Sequence, residues 1–546
     1  MSDAQQGGEA GAGPATAFDA VVIGAGFSGM YMLHRLRGQG LSVRVYEAGD
    51  GVGGTWYWNR YPGARCDVPS FQYSYSFSPE LDQEWEWSGL YPTQPEVLRY
   101  LNHVADRFDL RRDIQLGTRV TAAHYDAAAN RWRISTDRGE QVAARFCITA
   151  VGCLSAPNLP AIPGLDSFAG AIYHTGLWPH EGVDFSGLRV GVVGTGSTAI
   201  QAIPEIARQA AQLYVFQRTP NYSLPARNRA LSAEEQAAIK ARYPALRQTN
   251  RESPFGMTFD LPRPPAPIVD LSPEEREQLF EELWDMGGLG IMFGLPDVLF
   301  NLEANGYVAD FARRKIAEIV ADPHTAALLT PTGYPIGAKR IPIDTDYFET
   351  YNRPNVTLVD VRSAPIEAVT PGGLRTRDAE YQLDAIVFAT GFDAMTGTLS
   401  RIDIRGRDGQ LLRNTWADGP RTYLGLQIAG FPNLFTITGP GSPSVLSNML
   451  VSIEQHTDWI AECIRFLDQH GHGWIEPTAE AQEAWTAHVS AVAGLTLFPL
   501  ADSWYVGANI PGKPRMFLPY AGGVGAYRQR CAEVAATGYE GFIVSD

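Results

Sequence analysis

The hydrophobic pattern near the N-terminus predicts one β–α–β unit. Residues 18–23 form a short apolar run that predicts a strand, and apolar residues follow at helical spacing as far as Leu36. Residues 41–47 then predict a second strand. Residues 1–17 are rich in Gly and Ala and carry neither the basic nor the apolar segment of a signal peptide, which predicts a disordered tail.

A second β–α–β unit is predicted in the middle of the chain. Residues 188–193 predict its first strand, a helix with Ile200, Ile203 and Ile206 on one face follows, and residues 213–217 predict its second strand. Both units have the size at which a strand, a helix and a parallel strand hold a nucleotide at the first turn.

The segment over residues 226–332 has a helical pattern instead. Ser232 and Glu235 have the spacing of a capping box, and so do Ser272 and Glu275. Each pair is therefore expected to begin a helix, and a third helix is predicted farther along by apolar residues at helical spacing. We interpret this segment as a helical insertion.

Composition narrows the possible functions. The 546 residues are 45% hydrophobic and carry a formal net charge of −16, which disfavours contact with nucleic acid. No apolar run has the length of a membrane span. The 5 cysteines form no C-x-x-C pair, which argues against a disulfide framework, a structural zinc site and a dithiol reductase. A reducing cytoplasm is the location that fits this composition.

The turn of the first unit carries a dinucleotide fingerprint. Gly24, Gly26 and Gly29 have G-x-G-x-x-G spacing, and Ser28 lies within it. The glycines allow a tight turn and the approach of a pyrophosphate to a helix N-terminus. Glu47 ends the second strand, where its carboxylate can accept hydrogen bonds from a ribose. The combination favours a nucleotide site over a structural Gly-rich turn, and its N-terminal position favours FAD.

Two further Gly-containing segments also favour FAD. Gly54, Thr55 and Trp56 directly follow the second predicted strand. Residues 385–389 predict a buried strand, and residues 389–391 read A-T-G, as in the second flavin contact of flavoproteins with two dinucleotide sites. We therefore predict an FAD domain that the second unit interrupts.

The second fingerprint favours NADPH over NADH. Its predicted contacts are Gly194, Thr195, Gly196, Ser197 and Thr198. Arg218 and Thr219 follow the second strand, where the first unit has a carboxylate, and Lys339 is expected to add a further cation. A guanidinium can hold a 2′-phosphate bidentately, whereas a carboxylate would repel it. The alternative for Arg218 is a solvated surface residue.

Three longer signatures resemble a single family. Residues 53–67 read G-G-x-W-x4-Y-P-G-x-x-x-D, residues 168–180 read F-x-G-x-x-x-H-x-x-x-W-P-H, and residues 389–394 read A-T-G-F-D-A. Together they resemble the flavin-dependent Baeyer–Villiger monooxygenases over nearly the whole chain, with the phenylacetone and steroid monooxygenases as the most similar subgroup. The second signature of the family often ends in Asp, where this chain has His180.

The resemblance implies an NADPH- and O2-dependent enzyme that converts a ketone into an ester or lactone through a flavin C4a-peroxide. Arg340 matches the family arginine that stabilises the peroxide anion, and Asp67 matches the carboxylate that orients this arginine. Arginine suits this role because it stays charged when water is excluded. A purely structural ion pair is the alternative interpretation of these two residues.

The resemblance also implies contacts farther along the chain. It places Tyr73, Val120 and Met449 beside FAD, and Arg65, Cys66 and Trp504 beside NADP+. Residues 442–446 would line a substrate pocket whose apolar character favours a hydrophobic ketone, whether aryl, cyclic or steroidal. His174 is expected to be a hydrogen-bonded structural residue and not a general base.

The sequence as a whole predicts an α/β fold with two Rossmann-like dinucleotide-binding domains and a helical insertion. We expect an FAD-binding domain over residues 18–152 and 383–546, an NADP-binding domain over residues 160–225 and 333–380, and the insertion over residues 226–332. A monomer and a homodimer both fit. Two other functions stay open: a flavin monooxygenase that oxidises sulfides or amines, and a catalytically silent FAD- and NADP-binding protein.

Overall fold

The computed structural model describes residues 16–545. Its strands are β1 (Thr16–Ile23), β2 (Val43–Tyr46), β3 (Ile114–Gln115), β4 (Val120–Asp126), β5 (Arg131–Thr136), β6 (Gln141–Thr149), β7 (Ala171–His174), β8 (Arg189–Val193), β9 (Gln212–Gln217), β10 (Leu224–Pro225), β11 (Ile343–Asp344), β12 (Val356–Asp360), β13 (Ile366–Thr370), β14 (Gly373–Thr376), β15 (Glu380–Gln382), β16 (Ala385–Phe388), β17 (Asp403–Arg405), β18 (Leu434–Thr436), β19 (Trp474–Pro477) and β20 (Phe542–Ser545).

The helices lie between these strands along the chain. They are α1 (Phe27–Gly38), α2 (Thr55–Trp58), α3 (Pro79–Glu84), α4 (Gln94–Arg107), α5 (Ser197–Gln209), α6 (Ala233–Glu252), α7 (Pro273–Met286), α8 (Gly290–Phe293), α9 (Leu302–Ile319), α10 (Pro323–Leu329), α11 (Tyr347–Thr350), α12 (Gly397–Arg401), α13 (Leu412–Thr415), α14 (Met449–His470), α15 (Ala479–Gly494) and α16 (Val524–Ala536). Both predicted β–α–β units are present, as β1–α1–β2 and β8–α5–β9.

The first sheet has the strand order β17-β4-β5-β6-β1-β2-β3, and β18 pairs with the C-terminal part of β6. β1 runs parallel to both β2 and β6, so that Ile23 pairs with Tyr46 on one side and with Thr149 on the other. Because β17 and β18 come from far along the chain, this sheet is built from two separate segments. The domain that carries the first fingerprint is therefore discontinuous.

The second sheet has the order β12-β9-β8-β16-β7, and all of its strands are parallel. β16 lies between β8 and β7, with Ala385 paired to both Val190 and Ala171. The predicted domain boundary at residue 383 assigned this strand to the first domain, and the pairing corrects that assignment. β16 is buried along its whole length, which suits the interior of a parallel sheet.

The predicted N-terminal tail needs a correction at its end. Thr16 and Ala17 belong to β1 and pair with Val142 and Ala143 of β6, although Thr16 and Ala17 are exposed. Backbone hydrogen bonds alone extend the strand over these two exposed residues. Their side chains form no hydrophobic pattern from which a strand could be predicted. The rest of the predicted tail, residues 1–15, lies outside the described residues.

The segment between the two parts of the second domain is helical, as predicted, and contains α6 to α10. The side chains of Ser232 and Ser272 accept hydrogen bonds from Glu235 and Glu275, and both predicted capping boxes are complete. α7 and α9 pack through an edge-to-face pair of Phe280 and Phe311, whose ring centroids are 5.5 Å apart. α6 contacts α3 and α16 of the first domain, and α9 contacts α11 of the second, so the insertion packs against both.

Cysteine pairing, metal-binding groups and membrane spans can each be assessed over the described residues. All five cysteines, Cys66, Cys147, Cys153, Cys463 and Cys531, are buried and free. Within residues 16–545 we find no group of His, Cys, Asp and Glu arranged to hold a metal ion. In the same range no helix has both the length and the apolar character needed to cross a membrane.

Candidate active site

The first fingerprint forms a tight turn between β1 and α1. Gly24 has φ = 105°, which favours glycine. A Cβ on Gly29 would lie 1.8 Å from the carbonyl oxygen of Gly24, so α1 packs against its own turn. No side chain caps α1, whereas Ser232 caps α6. The first amides of α1 are therefore free of side-chain partners and can bind a pyrophosphate.

Glu47 follows β2 and reaches the fingerprint turn. Its Oε2 accepts a hydrogen bond from the amide of Ala25 at 2.7 Å, and its Oε1 accepts one from Gly49 at 2.8 Å. Burial raises the pKa of the Glu47 carboxyl. Thr118 donates to the carbonyl of Glu47, which brings the predicted FAD neighbour Val120 to the same end of the sheet. Each carboxylate oxygen keeps lone-pair capacity for a ribose hydroxyl.

The segment after β2 closes over the first fingerprint. The amide of Gly53 donates to the carbonyl of Ala25 at 2.9 Å, and a Cβ on Gly54 would lie 2.9 Å from the Cα of Gly26. Trp56 donates through Nε1 to the hydroxyl of Tyr73 at 3.2 Å. The structure therefore brings together the fingerprint glycines, residues 53–56 and Tyr73, as the sequence predicts. Ser28 lies buried in the first turn of α1.

The second fingerprint repeats this geometry with more open space. Gly194 has φ = 109°, and a Cβ on Gly196 would meet no atom within 4 Å. α5 begins at Ser197, again without a side-chain cap. Thr195 donates to the carbonyl of Thr219 at 2.9 Å. The hydroxyl of Thr198 lies 3.2 Å from that of Thr175. An open turn before an uncapped helix fits a second pyrophosphate.

The A-T-G turn lies beside the second fingerprint. The carbonyl oxygen of Ala389 is 2.7 Å from the position of a Cβ on Gly194, whereas the carbonyl oxygen of Ala150 takes the equivalent place beside Gly24. The flavin contact at residues 389–391 was predicted from the A-T-G motif and stays a prediction. The structure shows that this turn follows a strand of the second sheet, because β16 pairs with β7 and β8.

Two cations flank the second fingerprint, as the sequence predicts. Arg218 is exposed just after β9, and Lys339 is partly buried with its Nζ 4.3 Å from the centre of the Tyr334 ring. Burial lowers the pKa of Lys339, and the positive charge of Arg218 lowers it further. Such a pair fits a 2′-phosphate.

Arg340 and Asp67 form an ion pair with Nη2 and Oδ2 2.8 Å apart. Asp67 comes from the segment after α2, and Arg340 from the segment between α10 and β11. The charge of Asp67 raises the pKa of Arg340 above its usual value, and Tyr505 adds to this effect. Nη1 of Arg340 also points to the carbonyl of Val445 at 3.5 Å. Four separate segments therefore meet at one guanidinium that stays charged.

Cys66 precedes this aspartate and is buried. Burial raises the pKa of its thiol, so the sulfur stays protonated at neutral pH. The neighbouring residue Arg65 is partly buried, and burial lowers the pKa of its guanidinium. The sulfur is a packed group and has no character of a nucleophile.

Gln201 on α5 joins the two domains beside this pair, and sequence reasoning missed it. Its Oε1 accepts a hydrogen bond from the hydroxyl of Tyr61 at 2.8 Å, and its Nε2 donates to the carbonyl of Arg65 at 3.1 Å. A Cβ on Gly63 would lie 2.2 Å from the carbonyl oxygen of Gln201. The segment that carries Asp67 thus rests directly on the helix of the second fingerprint. A single polar residue in a helix gives no sequence signal for such a contact.

An apolar wall, which we define as Phe255, Phe259, Phe293, Leu446, Met449 and Trp504, borders the same region. All six side chains are partly buried and pack against the hydrophobic core that contains Val445 and Tyr505. Phe293 contacts Phe255 and Phe259, with centroid distances of 4.5 and 5.3 Å. The sequence predicted Leu446, Met449 and Trp504 through the resemblance. It missed the three phenylalanines, which lie in the insertion.

His174 and Trp178 have structural contacts, as the sequence predicts for His174. The Nδ1 of His174 accepts a hydrogen bond from the amide of Gly176 at 3.0 Å, and Nε2 lies 3.4 Å from the hydroxyl of Thr390. Burial lowers the pKa of His174, which keeps the ring neutral. Trp178 is buried against Tyr173, with ring centroids 5.5 Å apart. These residues fix the segment that leads into the second fingerprint.

Fold and site together define an oxidoreductase class with two dinucleotide sites and a charged arginine at the domain junction. Residues 21–250 match the family model described as pyridine nucleotide-disulphide oxidoreductase. The chain is 45% identical to an acetone monooxygenase (methyl acetate-forming) of Gordonia sp. (strain TY-5), over 97% of this chain and 99% of that protein. It is 46% identical to a Baeyer–Villiger monooxygenase of Pseudooceanicola batsensis, over 96% of each chain.

A solved structure agrees with these relatives. Oxidized steroid monooxygenase bound to NADP superimposes with a TM-score of 0.92 at 54% identity, and the match covers 97% of this chain and 100% of that one. The chain therefore belongs to the Baeyer–Villiger monooxygenases, FAD- and NADPH-dependent enzymes. The fold class, the enzyme class and both cofactors predicted from the sequence are confirmed.

Proposed function

We propose that this chain inserts one oxygen atom of O2 next to the carbonyl of a small hydrophobic ketone and releases an ester or lactone. The observation that carries the proposal is the ion pair of Arg340 and Asp67, which contacts Val445 of the core against which the apolar wall packs. A fixed cation at such a junction stabilises negative charge that develops on oxygen during the reaction. Family membership supports the same reaction.

Both cofactors fit the two turns. The residues proposed to hold FAD are Gly24, Gly26, Ser28, Gly29, Glu47, Gly54, Thr55, Trp56, Asp67, Tyr73, Val120 and Met449. The residues proposed to hold NADP(H) are Arg65, Cys66, Gly194, Thr195, Gly196, Ser197, Thr198, Arg218, Thr219, Lys339, Arg340 and Trp504. When bound, NADPH supplies the electrons that FAD passes on to O2.

Arg340 contributes its positive charge to the site, and Asp67 fixes the position of that charge. Asp67 holds one side of the guanidinium, so the remaining N–H groups have a fixed direction and no reorganisation is needed during the reaction. The apolar wall excludes water and strengthens this electrostatic interaction. Tyr505 adds a polar neighbour to the guanidinium.

The substrate and the location of the enzyme are inferred from composition and from the wall. Six partly buried apolar side chains favour an aryl, cyclic or steroidal ketone over a polar one. Five unpaired, buried cysteines favour the reducing cytoplasm.

Labelled oxygen tests the reaction directly. The FAD-loaded protein is incubated with NADPH, 18O2 and a mixture of phenylacetone, cyclohexanone and a 20-ketosteroid, and the products are identified by mass spectrometry. We expect one labelled oxygen in an ester or lactone, and the product that dominates identifies the ketone class. Consumption of NADPH with hydrogen peroxide as the only product from all three ketones would contradict the proposal.

Two variants test the residues. Arg340→Lys should lower ester formation at least about 100-fold because the bidentate, permanently charged group is lost, and Asp67→Asn should lower it by a similar factor. FAD content should stay unchanged in Arg340→Lys, and the activity of Asp67→Asn is given per bound FAD because Asp67 is also proposed to hold the flavin. Arg189→Lys is the matched control, since Arg189 pairs with Asp384 at 2.7 Å on the surface. Full activity in Arg340→Lys would assign the pair a structural role.

One observation favours a second candidate reaction, the oxidation of an aromatic amine. A phenazine N-monooxygenase of Lysobacter antibioticus is 45% identical to this chain over 97% of it. Phenazine offered with NADPH and 18O2 decides between the two reactions. A labelled N-oxide, formed faster than any ester from the three ketones, would favour N-oxidation as the main activity.

A further inference from the structure

A surface groove of about 680 Å³ opens beside the segment that closes over the first nucleotide turn, because its lining residue Gln94 donates to the carbonyl of Trp56. Its walls are the exposed side of α4 and residues 179–182, which follow β7. Arg60 closes one end. None of the residues proposed to hold FAD, NADP(H) or the ketone lines it. The groove is therefore separate from the candidate active site, although its two walls belong to different domains.

The groove carries positive charge that no carboxylate neutralises. Arg60 and Arg99 both line it, and among residues 16–545 no carboxylate oxygen lies within 4.0 Å of either guanidinium. The acidic lining residue, Asp106, already pairs with Arg111 at 2.5 Å. Both guanidiniums therefore keep a positive charge that is available to an anion in the groove.

Tyr57 holds two of the lining groups in place. Arg60 donates through Nε to the carbonyl of Tyr57 at 2.7 Å, and its guanidinium lies 5.0 Å from the centre of the tyrosine ring. The ring of His180 packs edge-on against the same tyrosine at 4.8 Å. Tyr57 is itself buried and donates its hydroxyl to Asp50. The terminal N–H groups of Arg60 are thus fixed and available to a ligand.

We propose that this groove binds a small organic anion with two or more carboxylate or phosphate groups. Arg60 and Arg99 supply separate cationic contacts, and the volume suits a small metabolite. His180 stands where the second family signature often has Asp. An aspartate here would add a negative charge to the lining of the groove, whereas the histidine adds none when it is neutral.

Calorimetry on the FAD-loaded protein saturated with NADP+ tests the proposal. Saturation blocks the second fingerprint, so pyrophosphate and citrate, titrated at constant ionic strength, report on other sites. We expect the wild type to bind at least one probe, with pyrophosphate alone indicating a phosphate ligand and citrate alone a carboxylate ligand. Arg60→Ala, Arg99→Ala and His180→Asp should each weaken binding at least about tenfold. FAD content and unfolding temperature confirm that each variant is folded.

The matched control is Arg413→Ala, which removes an exposed arginine of α13 outside the groove. It should bind both probes as the wild type does. The proposal is overturned by the absence of binding in the wild type, by unchanged binding in the Arg60 and Arg99 variants, or by equal weakening in Arg413→Ala, which would indicate general attraction to any basic residue.

Discussion

Individual side chains decide which nicotinamide cofactor the second fingerprint accepts. Arg218→Glu should raise the KM for NADPH about 10- to 100-fold, because a charge-assisted hydrogen bond to the 2′-phosphate is replaced by repulsion. The KM for NADH should change little, since NADH lacks that phosphate. Initial rates with both cofactors measure this. Arg353→Glu is the control, since Arg353 is exposed in the turn three residues before the edge strand β12 of the same sheet. An equal rise in both KM values would place Arg218 outside the phosphate site.

Elements were predicted well where their signal is local. Both β–α–β units lie within about two residues of the predicted bounds because strand, glycine turn and helix follow one another directly. The assignment of β16 failed for the opposite reason. An apolar run of this length has the same pattern in either sheet, and only its neighbours β7 and β8 decide the domain to which it belongs.

The helix α1 offers an internal comparison of two glycines. A Cβ on Gly29 would lie 1.8 Å from the Gly24 carbonyl oxygen, whereas one on Gly38 would meet nothing within 4 Å. Gly29→Ala should therefore separate the helix from its turn and lose most of the bound FAD. Gly38→Ala should keep FAD and gain up to about 1 kcal/mol from helix propensity. Flavin absorbance and thermal unfolding measure both. Retention of FAD by Gly29→Ala would contradict the packing argument.

At the scale of the whole molecule, the site exists only when the domains meet. Arg340 and Asp67 are 273 residues apart, so no local pattern could predict their contact. The family resemblance supplied both residues. It could not supply Gln201 or the phenylalanines of the apolar wall, because these contacts depend on how α5 and the insertion pack against the first domain.

Gln201 should help to set the relative position of the two domains, and with it the rate at which NADPH reduces FAD. Gln201→Ala removes its contacts to Tyr61 and Arg65, at a cost of about 1 kcal/mol for each hydrogen bond. We expect reduction of FAD at saturating NADPH to slow about tenfold, measured by stopped-flow absorbance. Gln212→Ala is the control, since Gln212 bonds Thr357 within the second sheet. Equal reduction rates in the two variants would show that this contact does not set the domain geometry.

The pH dependence of global stability should contain a contribution from Asp344. Its carboxyl is buried in β11, and burial raises its pKa from 3.8 to about 7. The folded state thus keeps a proton that the unfolded state releases near pH 4, so stability falls as pH rises from about 4 to about 7 and then levels off. The fall amounts to about 4 kcal/mol, at about 1.4 kcal/mol per pH unit.

Asp344→Asn should remove this pH dependence while keeping an acceptor for the amide of Tyr347. Relative to the wild type, the variant should therefore gain stability as pH rises through that window, as measured by denaturant unfolding at several pH values.

Asp384→Asn should instead lose stability relative to the wild type as pH rises to about 4. Arg189 lowers the pKa of Asp384 to about 2, so the wild type is favoured above pH 4. Parallel stability curves for Asp344→Asn and the wild type would mean that Asp344 is ionised in the folded protein, and that water or a neighbouring cation reaches it.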